Sequence, residues 1–216
     1  MVVKGLIIDL DGTLIDSIPF FFKHHQQVCK EFDIKLTRSF FEQHCNGRSQ
    51  EEFYKDILMH HDGNLKRYKD IILLHQQTFK NMKFNKIKAF PHVRQILKIL
   101  HKDHRIVIAT SSPKSFVDKI LISTRLLPYA DAIITRNNVK KTKPDPAIFL
   151  LAWKKTSVKK SECLIIEDSI SGVIAAKRAG IRCLCLLTSN KRKDIPSHAQ
   201  IARTHKSIIP LIREND

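Results

Sequence analysis

From residue 105 onward, short apolar runs alternate with segments of helical pattern, and this alternation restricts the chain to the α/β class. The runs are 105–109, 132–135, 163–166 and 181–187, and Val2-Val3 with Gly5–Ile8 adds one at the N-terminus. Each is short and apolar, as strands buried on both faces are. Between them, 91–103 opens with proline at a first-turn position and sets Val93, Ile96, Leu97 and Leu100 on one face. Segments 113–126 and 146–155 also open with proline, and Ile170–Ala179 stops at Gly180, a common helix terminator. Strand–helix alternation of this kind predicts a parallel, Rossmann-like sheet with helices on both faces.

Residues 17–83 break the alternation. Segments 18–32, 37–45, 49–60 and 64–82 read as helices, with no strand pattern among them. Ser49-Gln50-Glu51-Glu52 is a capping box, which marks a helix start, and Asp62-Gly63-Asn64 marks a turn. The expected organisation is a core made of 1–16 and 84–216, with a small all-helical cap, 17–83, inserted after the first strand. The linkers fall near 16–19 and 81–90. A chain of 216 residues is long enough for such a core with a smaller insert.

In open parallel sheets, ligands bind beyond the carboxyl ends of the strands. After Leu6-Ile7-Ile8 comes Asp9-Leu10-Asp11-Gly12-Thr13, and after Ile106-Val107-Ile108-Ala109 come Thr110-Ser111-Ser112. The third run leads to a loop with Lys143-Pro144-Asp145-Pro146, and the fourth to Glu167-Asp168-Ser169. Carboxylates, a hydroxyl pair and an ammonium would thus converge on one sheet edge. This set suits phosphoryl transfer. Carboxylates alone would repel a phosphoryl group, and a divalent cation neutralises both. Magnesium favours a few carboxylates plus phosphate oxygens, which fits Asp9 and Asp168. Asp9 can attack phosphorus and form an aspartyl-phosphate. Asp11 can protonate the leaving oxygen and then deprotonate the attacking water. Thr110 and Lys143 can bind and balance the phosphoryl oxygens, and Gly12 lets the chain leave the strand sharply.

These motifs resemble the haloacid dehalogenase superfamily over nearly the whole chain. Asp9-Leu10-Asp11-Gly12-Thr13-Leu14 stands as the first motif, Thr110 as the second, Lys143 as the third and Glu167-Asp168-Ser169 as the fourth. Gly172 and the stretch 175–180 continue as in the branch of sugar-phosphate phosphatases, phosphoglycolate phosphatases and β-phosphoglucomutases. The resemblance implies a Rossmann-like core and catalytic roles for Asp9, Asp11, Thr110 and Lys143. It also implies Mg2+ held by Asp9, Asp168 and the main-chain carbonyl of Asp11, with Glu167 joining directly or through water. Gly12, Ser111, Gly47 and Arg48 are the expected substrate contacts. Asn46-Gly47-Arg48-Ser49 falls where the family's cap carries its specificity loop, and Arg48 could pair with an anionic group on the substrate.

Asp11 separates the subgroups, because haloacid dehalogenases lack that second aspartate. Its presence directs the chain to phosphate esters. β-Phosphoglucomutases usually carry a histidine where Phe21 aligns, and Phe21 therefore favours a phosphatase of small phosphorylated metabolites over a mutase, the alternative. His24 and His25, one turn further on, read as exposed.

A net charge of +17 raises nucleic-acid binding as a remote, non-catalytic alternative. The basic residues are spread along the chain, however, and no aromatics interleave with the densest runs as base-stacking platforms would require. A solvated basic surface that steers small anions is the expectation. Five cysteines, with no CxxC and three in apolar runs, read as reduced thiols and not as a disulfide framework or zinc site. No apolar run approaches the length of a membrane span, and the N-terminal stretch is too short for a signal peptide. A cytoplasmic protein is expected, and nothing demands more than a monomer. The stretch 201–216 shows only an apolar pattern over 208–212, read as a helix on the core.

Overall fold

The computed structural model describes residues 2–45 and 49–214. Six strands form one parallel sheet: β1 (Gly5–Ile8), β2 (Arg105–Ala109), β3 (Ala132–Ile134), β4 (Cys163–Glu167), β5 (Arg182–Leu186) and β6 (Gln200–Ala202). Their spatial order is β3-β2-β1-β4-β5-β6, the Rossmann order, with the chain changing direction across the sheet between β1 and β4. Gly5 pairs with both Arg105 and Cys163, and Ile8 with both Ile108 and Ile166. The register therefore sets Asp9 level with Ala109 and Glu167 at the carboxyl edge, with Thr110 and Asp168 one residue beyond.

Strand residues alternate between two cores. Leu6, Ile8, Ile106, Ile108, Leu164 and Ile166 face one side, covered by α5 (Val93–Leu100), α6 (Lys114–Ser123) and α9 (Ile208–Arg213). Ile7, Val107, Ile165, Cys183 and Cys185 face the other, covered by α7 (Ala147–Thr156) and α8 (Ile170–Ala179). Burial on both faces explains why the four central strands read as continuous apolar runs. The edge strand β6 has no counterpart among the apolar runs of the sequence. It is three residues long, carries Gln200, and pairs with β5 alone, too little of an apolar signature to stand out from the C-terminal stretch.

Among the described residues, four α-helices lie between β1 and α5: α1 (Ile18–Lys30), α2 (Arg38–His44), α3 (Gln50–His61) and α4 (Tyr68–Lys80). They have an apolar cluster of their own, with Val28, Phe41, Phe53, Tyr54, Ile57 and Ile71 at its centre. The capping box at α3 is formed as expected, Ser49 and Glu52 each satisfying the other's backbone N–H. The expected helix over 64–82 divides into a 3-10 turn, Leu65–Arg67, and α4. Where the insert leaves and rejoins the core, Ile15 bridges Ala89 in antiparallel fashion. Asp16 N donates to Lys88 O at 2.9 Å, and Phe90 N to Leu14 O at 3.0 Å.

His24 and His25 are buried, each 3 % exposed, which corrects their reading as surface residues. The reason is a set of hydroxyl partners supplied by other helices. His24 Nε2 meets Thr78 Oγ1 at 2.8 Å, and the Tyr54 hydroxyl bridges His25 Nδ1 at 2.8 Å and His75 Nδ1 at 3.1 Å. The rings of His25 and His75 stack with centroids 5.0 Å apart. Burial holds all three imidazoles neutral, lowering His24 to about 4, His75 to about 3, and His25 well below its ordinary value.

Candidate active site

Asp9 follows the last residue of β1, and its backbone N–H donates to Ile166 O at 2.9 Å, so the β1–β4 ladder fixes its position. The residue is buried and its Oδ1 accepts from Lys143 Nζ. The same ammonium donates to Glu167 Oε1 at 2.6 Å and lies 4.8 Å from the centre of the Phe149 ring. Lys143 comes from the loop after β3, 134 residues from Asp9. Burial opposes its charge, but Asp9 and Glu167 outweigh burial and hold it above the ordinary lysine value.

Glu167 ends β4. Its Oε2 accepts the backbone N–H groups of Asp168 at 2.6 Å and Ser169 at 2.5 Å. It thus shapes the strand–helix turn at the start of α8, where Ser169 caps the helix by accepting from Gly172 N. Asp168 is fully buried. Its Oδ1 accepts from Thr13 Oγ1 at 2.8 Å, its Oδ2 from Ser189 Oγ, and its carbonyl from Asn190 Nδ2 at 2.9 Å. One carboxylate oxygen from each of Asp9, Glu167 and Asp168 lies within 4.8 Å of the others.

Asp11 stands two residues beyond Asp9 and is held by three hydroxyls. Ser17 Oγ donates to Oδ1 at 2.7 Å, while Ser112 Oγ at 2.6 Å and Thr110 Oγ1 at 3.1 Å donate to Oδ2. Thr110 Oγ1 also accepts from Ser112 N at 3.0 Å, which fixes the turn after β2. Burial raises the Asp11 carboxyl, and the three hydroxyls pull the other way. Ser111 Oγ is buried in the cleft wall with no hydrogen-bond partner among the described residues, so its donor is free for a ligand.

Gly12 has φ +80°, a conformation that favours glycine. A Cβ there would run into the Asp168 carboxylate and Ser189 Oγ. Gly12 is therefore placed against Asp168, where it lets the first loop and the fourth motif approach closely. The structure brings together Asp9, Asp11, Thr110, Ser111, Lys143 and Glu167 around one cleft, with Asp168 beneath it. Gly47 and Arg48 lie outside the described residues. Ser17, Ser112, Thr13, Ser189 and Asn190 are additional polar partners. Thr13 and Ser112 sit inside motifs already singled out and could have been found there, whereas Ser189 and Asn190 follow a strand with no motif to mark them.

The insert roofs the cleft with Ile18, Phe21, Phe41 and Phe79, and with Ser49 and Gln50 from the start of α3. Phe21 packs against Phe116, centroids 5.3 Å apart.

Three buried carboxylates share one ammonium. This excess of negative charge, in a site withdrawn from water, raises Asp9 well above the ordinary carboxyl value. It raises Asp168 to about 7, burial being the largest cause in both. A divalent cation would relieve it, and an all-oxygen donor set suits a hard one. The residues present therefore fit a hard divalent metal.

A Rossmann-type sheet with a buried carboxylate cluster at its switch point, under a helical insert, has the form of an α/β enzyme site. Residues 6–186 match the family model for haloacid dehalogenase-like hydrolases. The chain belongs to that family. It is 30 % identical over 183 residues to the phosphorylated carbohydrates phosphatase of Thermotoga maritima, covering 83 % of this chain and 82 % of that protein. To the β-phosphoglucomutase of Bacillus subtilis it is 29 % identical over 185 residues, with 83 % and 81 % covered. The crystal structure of a hydrolase from Pseudomonas syringae shares the fold, with a TM-score of 0.84 over 98 % of both chains at 24 % identity. Among the described residues no helix is long and apolar enough to cross a membrane.

Proposed function

We propose that the chain is a magnesium-dependent phosphatase of small phosphorylated metabolites of the sugar phosphate or phosphoglycolate type, acting through an aspartyl-phosphate on Asp9. The observation that carries this reading is the pairing of Asp9 with Lys143 at the floor of the cleft, with Asp11 two residues on in a cradle of hydroxyls. Mg2+ would be held by Asp9, Asp168 and the main chain of Asp11, and when bound it supplies positive charge to the phosphoryl oxygens. Glu167 already accepts from Lys143 and two backbone amides, which favours contact with the metal through water over a direct bond.

Lys143 fixes one oxygen of Asp9 and leaves the other to attack phosphorus. Ser111 offers the phosphoryl group a donor that no described residue uses, whereas the Thr110 hydroxyl must turn from Asp11 to reach the phosphoryl oxygens. As the ester P–O bond breaks, protonated Asp11 gives its proton to the leaving oxygen; its raised pKa helps it carry that proton beforehand. Asp11 then takes a proton from the water that attacks the aspartyl-phosphate, which restores both residues and releases phosphate. Residues 17–83 act as a cap that excludes bulk water from this chemistry, and the core comprises 1–16 and 84–216. We read the protein as a cytoplasmic monomer whose charge of +17 draws anionic substrates to the cleft.

The test is magnesium-dependent phosphate release from an aryl phosphate, followed by a screen of phosphorylated metabolites. Asp9→Asn is expected to abolish turnover with the circular dichroism spectrum intact, and normal turnover in that variant would sink the mechanism. The β-phosphoglucomutase relative keeps a mutase as the second reading. Interconversion of glucose 1-phosphate and 6-phosphate in the presence of the bisphosphate would establish it. The apolar ring of Phe21 in the cleft roof favours hydrolysis.

A further inference from the structure

Among the described residues, two permanently charged cations line the cleft, Lys143 and Arg136. Lys143 is committed to Asp9 and Glu167. Arg136 differs in every respect. It starts the 3-10 turn Arg136–Asn138 after β3, where its backbone N–H donates to Ser112 O at 3.2 Å. This ties it to the loop that carries Thr110 and Ser111. Its side chain crosses from the core to the insert and meets Glu51, in the first turn of α3, at 3.4 Å. The two side chains are 30 % and 42 % exposed. A single long contact between half-exposed groups adds little stability, and among the described residues it uses one of the five guanidinium N–H donors.

The rest of the cleft roof is uncharged: Ile18, Phe21, Phe41 and Phe79 are apolar, and Ser49 and Gln50 are neutral. His25 also reaches the cleft, but burial keeps it neutral. Arg136 is thus the one charged group, among the described residues, that can meet a substrate beyond the reacting phosphoryl. Outside it, the same side chain borders a second groove, where Lys140, Lys141 and Arg178 face Glu51, Glu52 and Asp145.

We propose that Arg136 is a specificity-determining residue, which selects phosphate esters bearing a second anionic group by exchanging Glu51 for that group. This rests on the phosphatase reading above and goes beyond it by naming the substrate class. A guanidinium offers two parallel donors to a carboxylate or a phosphate alike, so the class is defined by the oxyanion. Glu51 occupies the place of the oxyanion in the free enzyme.

The experiment measures kcat/KM with Mg2+ for 2-phosphoglycolate, whose second group is a carboxylate, and for glucose 1,6-bisphosphate, whose second group is a phosphate. Glycerol 2-phosphate, whose remainder is neutral, is the reference. The readout is the ratio of each diacid to the reference within one preparation, from which any misfolded fraction cancels. The wild type is expected to favour at least one diacid, and the arm that responds identifies the oxyanion. Arg136→Ala should lower that ratio by about 10- to 100-fold, the worth of a charge-assisted hydrogen bond. Arg136→Lys should recover part of it, and Glu51→Gln should leave it equal or higher. A ratio that Arg136→Ala does not move overturns the assignment, as does a ratio that falls in Glu51→Gln, which would make the pair a structural latch. Failure to release phosphate from any ester would instead overturn the reading on which the assignment rests.

Discussion

The imidazoles of His24, His25 and His75 make the helical insert sensitive to acid, and the size of the effect follows from their burial. An ordinary histidine titrates near 6.5, whereas His24 is lowered to about 4 and His75 to about 3 by burial. A base whose native pKa lies below its unfolded value leaves stability intact above the unfolded pKa. Stability is lost as pH falls below about 6.5, because the unfolded chain takes up protons that the native state refuses. At pH 5 the unfolded state holds nearly one proton more on each ring. Integrated from pH 7, the loss is about 2 kcal/mol per ring, or about 4 kcal/mol for His24 and His75 together. His25 adds to it in the same direction. Against a total stability of about 5–15 kcal/mol, that is a large fraction.

Asp168 works the other way. Its carboxyl is raised to about 7, so the native state binds a proton that the unfolded state releases, and acidification through that window is stabilising. The measurement is therefore a difference. Urea unfolding followed by circular dichroism at pH 7 and pH 5 is compared between the wild type and His24→Gln/His75→Gln, in which the carboxylates titrate as before. Glutamine keeps hydrogen-bonding capacity toward Thr78 and Tyr54 without a titrating ring. The loss between the two pH values should be smaller in the variant by about 4 kcal/mol, and by about 2 kcal/mol in His75→Gln alone. An identical pH dependence in all three proteins would refute the claim that these rings are held neutral by the fold.

Two further outcomes concern the carboxylate cluster. Chelation should abolish phosphate release, and Mg2+ at 100 times its dissociation constant should stabilise the chelated protein by about 2.7 kcal/mol. In a chain of this size that raises the melting temperature by roughly 5–10 °C. The rise should shrink as pH falls below 7, where Asp168 takes up a proton. Gly172→Ala would place a methyl group on the Glu167 carboxylate, which Lys143 and two backbone amides hold in place. It should cost about 1–3 kcal/mol by overpacking, read as a lower urea midpoint, together with a loss of turnover as Lys143 is displaced from Asp9.

The sequence announces what its own neighbours determine. Leu6-Ile7-Ile8 and Leu164-Ile165-Ile166 are legible as strands because a helix layer covers each face, so every side chain must be apolar. Ser49 and Glu52 are legible as a helix start because capping is settled within four residues. His24 and His25 are not legible, because their burial depends on hydroxyls 29 to 54 residues away. Polar residues on a helix read as exposed until those partners are known. The same applies to Asp11. One of its three hydroxyl partners is six residues off, but the other two are 99 and 101 residues off. The first motif therefore reveals the two carboxylates and conceals the cradle that orients the second.

The balance of charge in the cleft explains why these groups are brought together at a cost to stability. A buried ion pair is seldom more stabilising than an apolar substitute, and here one ammonium faces three carboxylates. Folding alone would be served by fewer acids. The surplus makes the site receptive to a divalent cation, and the cation together with Lys143 makes it receptive to a phosphoryl group that the carboxylates would otherwise repel. Arg136 then stands apart from this balance: it is tied to neither Asp9 nor Glu167, and Glu51 holds it by one long contact. A cation placed beside a catalytic cleft but left out of its charge balance is free to answer to the substrate, which is why discrimination between singly and doubly anionic esters is assigned to Arg136.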